Sequence, residues 1–349
     1  MEPRKVQRVG YSTLTVSLPR DWVTEVKLKA GDIVSIRRED DGSLRVIAGS
    51  EHKGEEVKCC VINADLCSSR NLLARVITGN YILGHDTIQI VSEDELRRVH
   101  LEEIRATVQR VAGISIVEQT IRKVTLQSFI DPTRFPVYGL MRRLHTIISS
   151  MLEASINAIV ETRPELVAEV SHMEEEADRI YWLIVRQLLL AIRDRSTASN
   201  IGIGSSLHIT GNRVVAKALE EMADSAENVA NEVLALKDRD MSSETIVHDI
   251  VRFAGQINEI SDHSFKAFLA GEIKPANEAV EMVQTAENDA RKLTQSVLKY
   301  VKDASVVASL RIIIWSLIQI VKYCGMIGEV TINRILEKPS RICEYIPVS

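Results

Sequence analysis

Aromatic side chains make up only 4% of this 349-residue chain. A protein that grips single-stranded nucleic acid by stacking bases needs more such platforms, so that class is disfavoured. Glycine (16) and proline (8) are scarce, which excludes collagen-like or linker-dominated architecture. The five cysteines, Cys59, Cys60, Cys67, Cys324 and Cys343, are odd in number and include no CxxC pair. They read as reduced thiols rather than a disulfide frame or a zinc site. No long apolar run exists either: Ile312 to Val321 is broken by Ser316 and Gln319 and closed by Lys322. That is too short and too polar to cross a bilayer, and Met1-Glu2-Pro3-Arg4 has no apolar signal core. A cytoplasmic, globular chain without membrane insertion is expected. There is no P-loop, nucleophile elbow or HExxH motif, and no enzyme is expected.

What is present is ordinary for a folded protein: 45% hydrophobic and 26% charged residues, in a length that suits two or three domains. The net charge of −5 is unevenly spread, with +4 over the first 38 residues and −9 over the other 311. A small basic head on an acidic body points to an anionic partner for the head alone, unless the imbalance is a fluctuation in a short window.

Three segments differ in hydrophobic period. In residues 1–50, Thr13 to Leu18 alternates polar and apolar like a half-buried strand, and Pro19 stops it. Arg20 to Val26 suits a short helical turn carrying Trp22, and Lys29 to Asp32 a turn. Ile33 to Ile36 and Leu44 to Ile47 then form strands around an Asp40-Asp41-Gly42-Ser43 hairpin. So few short strands bury little core, so a homodimer or higher oligomer is expected. Residues 55–131 alternate strand and helix signals in βαβαββ order, starting from a strand over Val57 to Ile62, an α+β module without a phosphate loop. Residues 137–337 are helical throughout. Apolar stripes run through Leu140, Leu144, Ile147, Met151 and Ile159, through Leu166, Val170, Met173, Ile180 and Ile184, and through Leu219, Met222, Ala226, Val229 and Val233. Pro164 suits a helix start, and Pro275, 111 residues on, opens a helix at the corresponding place. Two tandem three-helix units, 137–240 and 244–337, are predicted.

The strongest chemical signal is acidic. Glu174 and Asp178 lie four residues apart, as do Glu220 and Asp224, so each pair shares a helix face. Glu175, Glu221, Glu227 and Asn228 are close by. Like charges at that spacing repel and call for a counter-charge. Oxygen-rich clusters suit hard divalent or trivalent cations. Alternatively, the stripe is a solvated face balanced by Arg179, Arg186 or Arg213.

The helical segment resembles the PhoU domain, the regulator of phosphate uptake. Leu219-Glu220-Glu221-Met222-Ala223-Asp224-Ser225-Ala226-Glu227-Asn228-Val229-Ala230 is similar to the LERxxDxAxNIA signature of that family, and Glu174-xxx-Asp178 to its other acidic motif. The resemblance implies E/DxxxD metal clusters, here in the first bundle, with Glu174, Asp178, Glu220 and Asp224 as ligands to Fe, Mn, Mg or Zn. The second repeat departs from the pattern. Arg291 stands in the place of Asp178, only Glu287 and Asp289 remain acidic there, and Gln319 and Tyr323 replace Glu220 and Asp224. That implies at most one metal site, with a structural second bundle.

The N-terminal segment resembles the AbrB/SpoVT (MazE-like) DNA-binding domain. Val9 to Arg20 is similar to its G-x-x-x-φ-x-I-P-K/R strand, and Leu28-Lys29-Ala30-Gly31-Asp32-Ile33-Val34 to its L-x-x-G-D-x-V turn. The resemblance implies a swapped-hairpin dimer in which Arg4, Lys5, Arg8 and Arg20 face double-stranded DNA. The fusion is similar to archaeal-type PhoU-related regulators, which implies control of phosphate-transport genes or of the ATPase of a phosphate ABC transporter, with that ATPase or a signalling protein as partner. The alternatives are an adaptor that inhibits the transporter without touching DNA, and a metal-storing or metal-sensing bundle. Gly202-Ile203-Gly204 reads as an interhelical loop, His145, His172 and His208 lack ligand spacing, and Trp182 and Trp315 fall at apolar helical positions and are predicted to be core.

Overall fold

The computed structural model describes residues 3–38, 42–49, 59–161, 165–236, 244–344 and 346. The chain divides into two compact units, Met1–Val57 and Lys58–Ser349.

The first unit holds two antiparallel ribbons: β1 (Gln7–Val9) with β2 (Thr13–Thr15), and β3 (Val34–Arg38) with β4 (Leu44–Ala48). Helix α1 (Arg20–Glu25) begins directly after Pro19, while β2 stops at Thr15, short of the strand end at Leu18 that the alternation predicted. Asp40 and Asp41 of the expected hairpin lie outside the described residues, and Gly42 adopts a φ of +81°. None of the described residues of this unit is buried, and Val6, Val9, Leu14, Val16, Ile33, Ile36 and Leu44 are all at least 55% exposed.

The second unit opens with β5 (Cys59–Asn63), α2 (Leu72–Ile82), β6 (Thr87–Val91), α3 (Arg98–Arg110), β7 (Ile114–Gln119) and β8 (Lys123–Ser128). Val57, the expected start of β5, lies outside the described residues. The sheet order is β5-β6-β8-β7, with β5 and β6 parallel and the other pairs antiparallel. Ile88, Ile90, Val124 and Leu126 of the central strands pack with Leu73, Ile77 and Ile104 of the helices to form a core.

Among the described residues seven helices follow: α4 (Val137–Glu161), α5 (Glu165–Arg193), the short α6 (Arg195–Asn200), α7 (Leu207–Ala235), α8 (Glu244–Ala270), α9 (Ile273–Tyr300) and α10 (Ala304–Ile335). Pro164 lies outside the described residues. The first repeat packs α4, α5 and α7, the second α8, α9 and α10, and α7 lies against α10 across the two. Helix α10 is long and apolar enough to span a membrane by length and composition alone, as a core helix of a folded body also is, and here it packs against α7, α8 and α9. Its Gly328 allows α9 to approach so closely that a Cβ there would sit 2.7 Å from the carbonyl oxygen of Ala276. Trp315 departs from expectation: it is 59% exposed. It falls on the face of α10 that also exposes Ile312 and Met326.

At the crossing of α4 and α8, His145 is buried, stacks on Phe265 at 4.4 Å and shares a 3.1 Å hydrogen bond with Ser261. Burial lowers its pKa, outweighing the opposing pull of Asp262, while Lys266 adds to the lowering. The unfolded chain, with its imidazole near an ordinary pKa of about 6.5, therefore binds the proton first. The contribution of His145 to stability is complete above pH ~6.5 and is lost as pH falls below it. Between pH 7.5 and 5, wild type should lose about 1 kcal/mol more stability than H145Q in urea titrations. Parallel losses would contradict this.

Candidate functional site

The α+β module is fixed to the helical body through one stripe of α5. Arg179, Arg186 and Arg193 recur every seven residues, two helical turns, and so share a face. Arg179 donates to the Gln109 carbonyl (3.3 Å), at the C-terminus of α3. Arg186, 1% exposed, donates to the carbonyls of Tyr81 and His85 and to Asp86 (3.0 Å), with its guanidinium 5.0 Å from the Tyr81 ring centroid. Arg193 donates to the Leu83 carbonyl (2.6 Å). The last carbonyls of a helix lack partners within it and carry its negative pole, so cations placed there are doubly favoured. Gly84, at φ +83°, makes the turn after α2 beside Leu190, which a Cβ would meet at 2.6 Å. These arginines are thus committed to docking the module. Arg213, the third candidate counter-ion, donates to the Tyr181 hydroxyl. None of the three balances the acidic stripe.

The acidic pairs lie on α5 and α7, which pack together. Asp178 and Glu220 are buried, and Glu174 and Asp224 are half-buried. Carboxylate oxygens of Glu220, Glu221 and Asp224 all lie within 4.8 Å of one another. Lys217 pairs with Glu220 and, at 2.8 Å, with Glu221. From the second repeat, the Tyr323 hydroxyl donates to Glu221 (3.2 Å), while Ser171 donates to Glu227 (3.1 Å). The balancing charge for Asp178 comes from the α+β module: Arg110, the last residue of α3, donates to its Oδ2 at 3.2 and 2.5 Å.

Burial, reinforced by Asp178, Glu227 and Asp224, pushes Glu174 up to about 7. Burial likewise raises Glu220 and Asp224, against the pull of Lys217. The hydrogen bond from Lys217 lowers Glu221. Partial burial acts to lower Lys217, but its bonds to Glu220 and Glu221 outweigh this and hold it above its usual range. Carboxylates in this cluster outnumber the two resident cations. In the second repeat Glu287 and Asp289 are matched by Lys322 and Lys292.

Of the four acidic residues singled out in the sequence, Glu220 and Asp224 come together with Glu221, whereas Glu174 and Asp178 lie outside that close group and are coupled to it electrostatically. Sequence reasoning missed Lys217, whose spacing of three and four from Glu220 and Glu221 was legible, and Arg110, which no local pattern connects to Asp178. In the first unit Arg4 and Lys5 precede β1, Arg8 lies within it and Arg20 opens α1, and all four are exposed.

A family model described as the PhoU domain matches residues 141–233, covering most of α4 to α7. A second, described as antidote-toxin recognition MazE, bacterial antitoxin, matches residues 7–53. No curated protein matches the chain. Among solved structures it is similar to PhoU from Pseudomonas aeruginosa, at 15% identity and a TM-score of 0.52, over 58% of this chain and 96% of that one. The phosphate transport system regulatory protein PhoU from Streptococcus pneumoniae is similar at 14% identity and a TM-score of 0.48, over 56% and 91% of the two chains. The first likeness confirms the fold of the helical body. The first helical bundle is thus similar to the PhoU domain, and the N-terminal segment to the MazE-type antitoxin domain.

Proposed function

We propose that the chain is a phosphate-responsive regulator that binds duplex DNA through a dimer of its N-terminal units and receives its input through the PhoU-type body. The observation that carries the DNA half is the outward placement of Arg4, Lys5, Arg8 and Arg20 on a unit with no buried residue of its own among those described. An isolated pair of two-stranded ribbons is marginal in water. A second copy covering Val9, Leu14, Ile33 and Ile36 supplies the missing core and doubles the cationic groups. Basic side chains attract phosphates, and arginine also pairs with guanine edges. In cells under phosphate starvation and repletion, R8E/R20E should abolish the response of phosphate-transport genes. Unchanged regulation would instead support an adaptor acting on the transporter or its signalling partner without DNA.

The acidic cluster is the proposed input site. Its donors are all carboxylate oxygens, the set preferred by hard cations such as Mg²⁺ or Mn²⁺. Glu220, Glu221 and Asp224 would hold the ion, with Glu174 and Asp178 alongside, once Lys217 swings off Glu220 and Glu221. A bound ion would supply charge neutralisation between α5 and α7. Such an input alters DNA affinity only if the ion binds the DNA-competent arrangement with different affinity from the other. Elemental analysis should find metal in the wild type and little in E220A/D224A. Metal-free protein in both samples after growth in metal-rich medium contradicts the site.

A further inference from the structure

A groove of about 630 Å³ runs between α2 and α3 of the α+β module and ends against Trp182 of α5. At the end formed by the start of α2 stand Arg70 and Arg75. Arg75 donates weakly to the Arg70 carbonyl (3.5 Å), and neither guanidinium meets a carboxylate among the described residues. The acids of the groove are already engaged: Glu103 accepts the backbone N–H groups of Asn71 (2.9 Å) and Ala74 (3.2 Å), and Glu102 pairs with Arg98. The groove therefore has two arginines at one end, beside the backbone-bonded carboxylate of Glu103, and an aromatic side chain at the other. Seven residues of helix, about 10 Å, separate Arg75 from Ile82 beside the indole.

Gly79 is the independent observation. It lies in the middle of α2 on the groove wall, and a Cβ built there meets nothing within 4 Å. A mid-helix glycine weakens a helix relative to alanine, and among the described residues neither a positive φ nor a close neighbour calls for one. It leaves the wall bare where a ligand would pass along the backbone.

We propose that this groove binds a phosphomonoester of mononucleotide size, its phosphate held by Arg70 and Arg75 and its flat ring laid against Trp182. Arginine forks match pairs of phosphate oxygens, and an indole offers a face to a base. The volume is that of a small-ligand site. Free phosphate would leave the indole end empty, and a nucleoside would leave the arginines unpaired. Arg110 also lines the groove while bonded to Asp178, so groove and acidic cluster share one guanidinium and are coupled in both directions. The proposal stands whether or not the body binds metal or DNA.

The test uses the full chain, treated with chelator and carrying W22F and W315F, which leaves Trp182 as the sole tryptophan of the original three. Titration with adenosine 5′-monophosphate should quench its fluorescence saturably, with a Kd below about 1 mM. Adenosine and inorganic phosphate should each bind at least about tenfold more weakly. R75Q should weaken binding about tenfold or more. G79L should block it without lowering the thermal midpoint, since leucine is the better helix former, which separates a filled groove from a damaged fold. D178N should tighten binding by releasing Arg110, and an unchanged affinity in D178N contradicts that link. No saturable quenching up to about 10 mM nucleotide, or quenching that R75Q and G79L leave unaltered, overturns the site.

Discussion

Replacing Arg186 with methionine should destabilise the second unit by about 3–4 kcal/mol. Methionine keeps much of the buried volume, so the loss is chiefly polar. The carbonyls of Tyr81 and His85 lose their charged donor at the end of α2, and unsatisfied buried acceptors cost roughly 1–3 kcal/mol each. Asp86 contributes less, because its side chain is 40% exposed and turns to water. The stacking on Tyr81 is lost as well. Urea unfolding of the full chain should show the α+β module melting first in R186M, with R193Q, on the exposed end of the same stripe, within about 1 kcal/mol of wild type. A loss below about 1 kcal/mol in R186M would mean that water replaces the guanidinium and that docking rests on the remaining contacts, apolar and polar.

The second large effect is on DNA. R8E/R20E in a dimer reverses four charges at the proposed contact surface. Each neutralised phosphate contributes through release of condensed counterions, and a reversed charge adds repulsion to that loss. Affinity for duplex DNA at about 0.1 M salt should fall at least about 100-fold, while the unfolding transition stays within about 0.5 kcal/mol because both side chains are exposed. Binding by the double variant equal to wild type would move the contact surface elsewhere.

The helical body was legible because its information is local. The stripe Leu219, Met222, Ala226, Val229 and Val233 recurs at helical spacing, and all five are buried. The βαβαββ order of the module was readable from alternating runs and turns in the same way. Trp315 shows where this fails. Periodicity reports that a face is apolar, not that a neighbour covers it, and among the described residues this face of α10 stays largely exposed. The acidic residues could be named from their spacing, but their balancing charge could not. Arg110 and Asp178 are 68 residues apart, and only the packing of α3 on α5 joins them. The seven-residue recurrence of Arg179, Arg186 and Arg193 was visible, yet its targets are carbonyls of another module, which carry no sequence signature. Likewise the bareness of Gly79 is a property of the groove, not of the helix that contains it.

The grip of the N-terminal unit on DNA is the claim on which the regulatory reading depends. The most direct measurement is the affinity of the intact chain for a promoter fragment of a phosphate-transport operon across a salt series. Four cations per protomer give eight in a dimer, and a logarithmic slope of about −4 to −7 is expected as some or all of them meet phosphates. No binding at about 50 mM salt, or an affinity indifferent to salt, would contradict it.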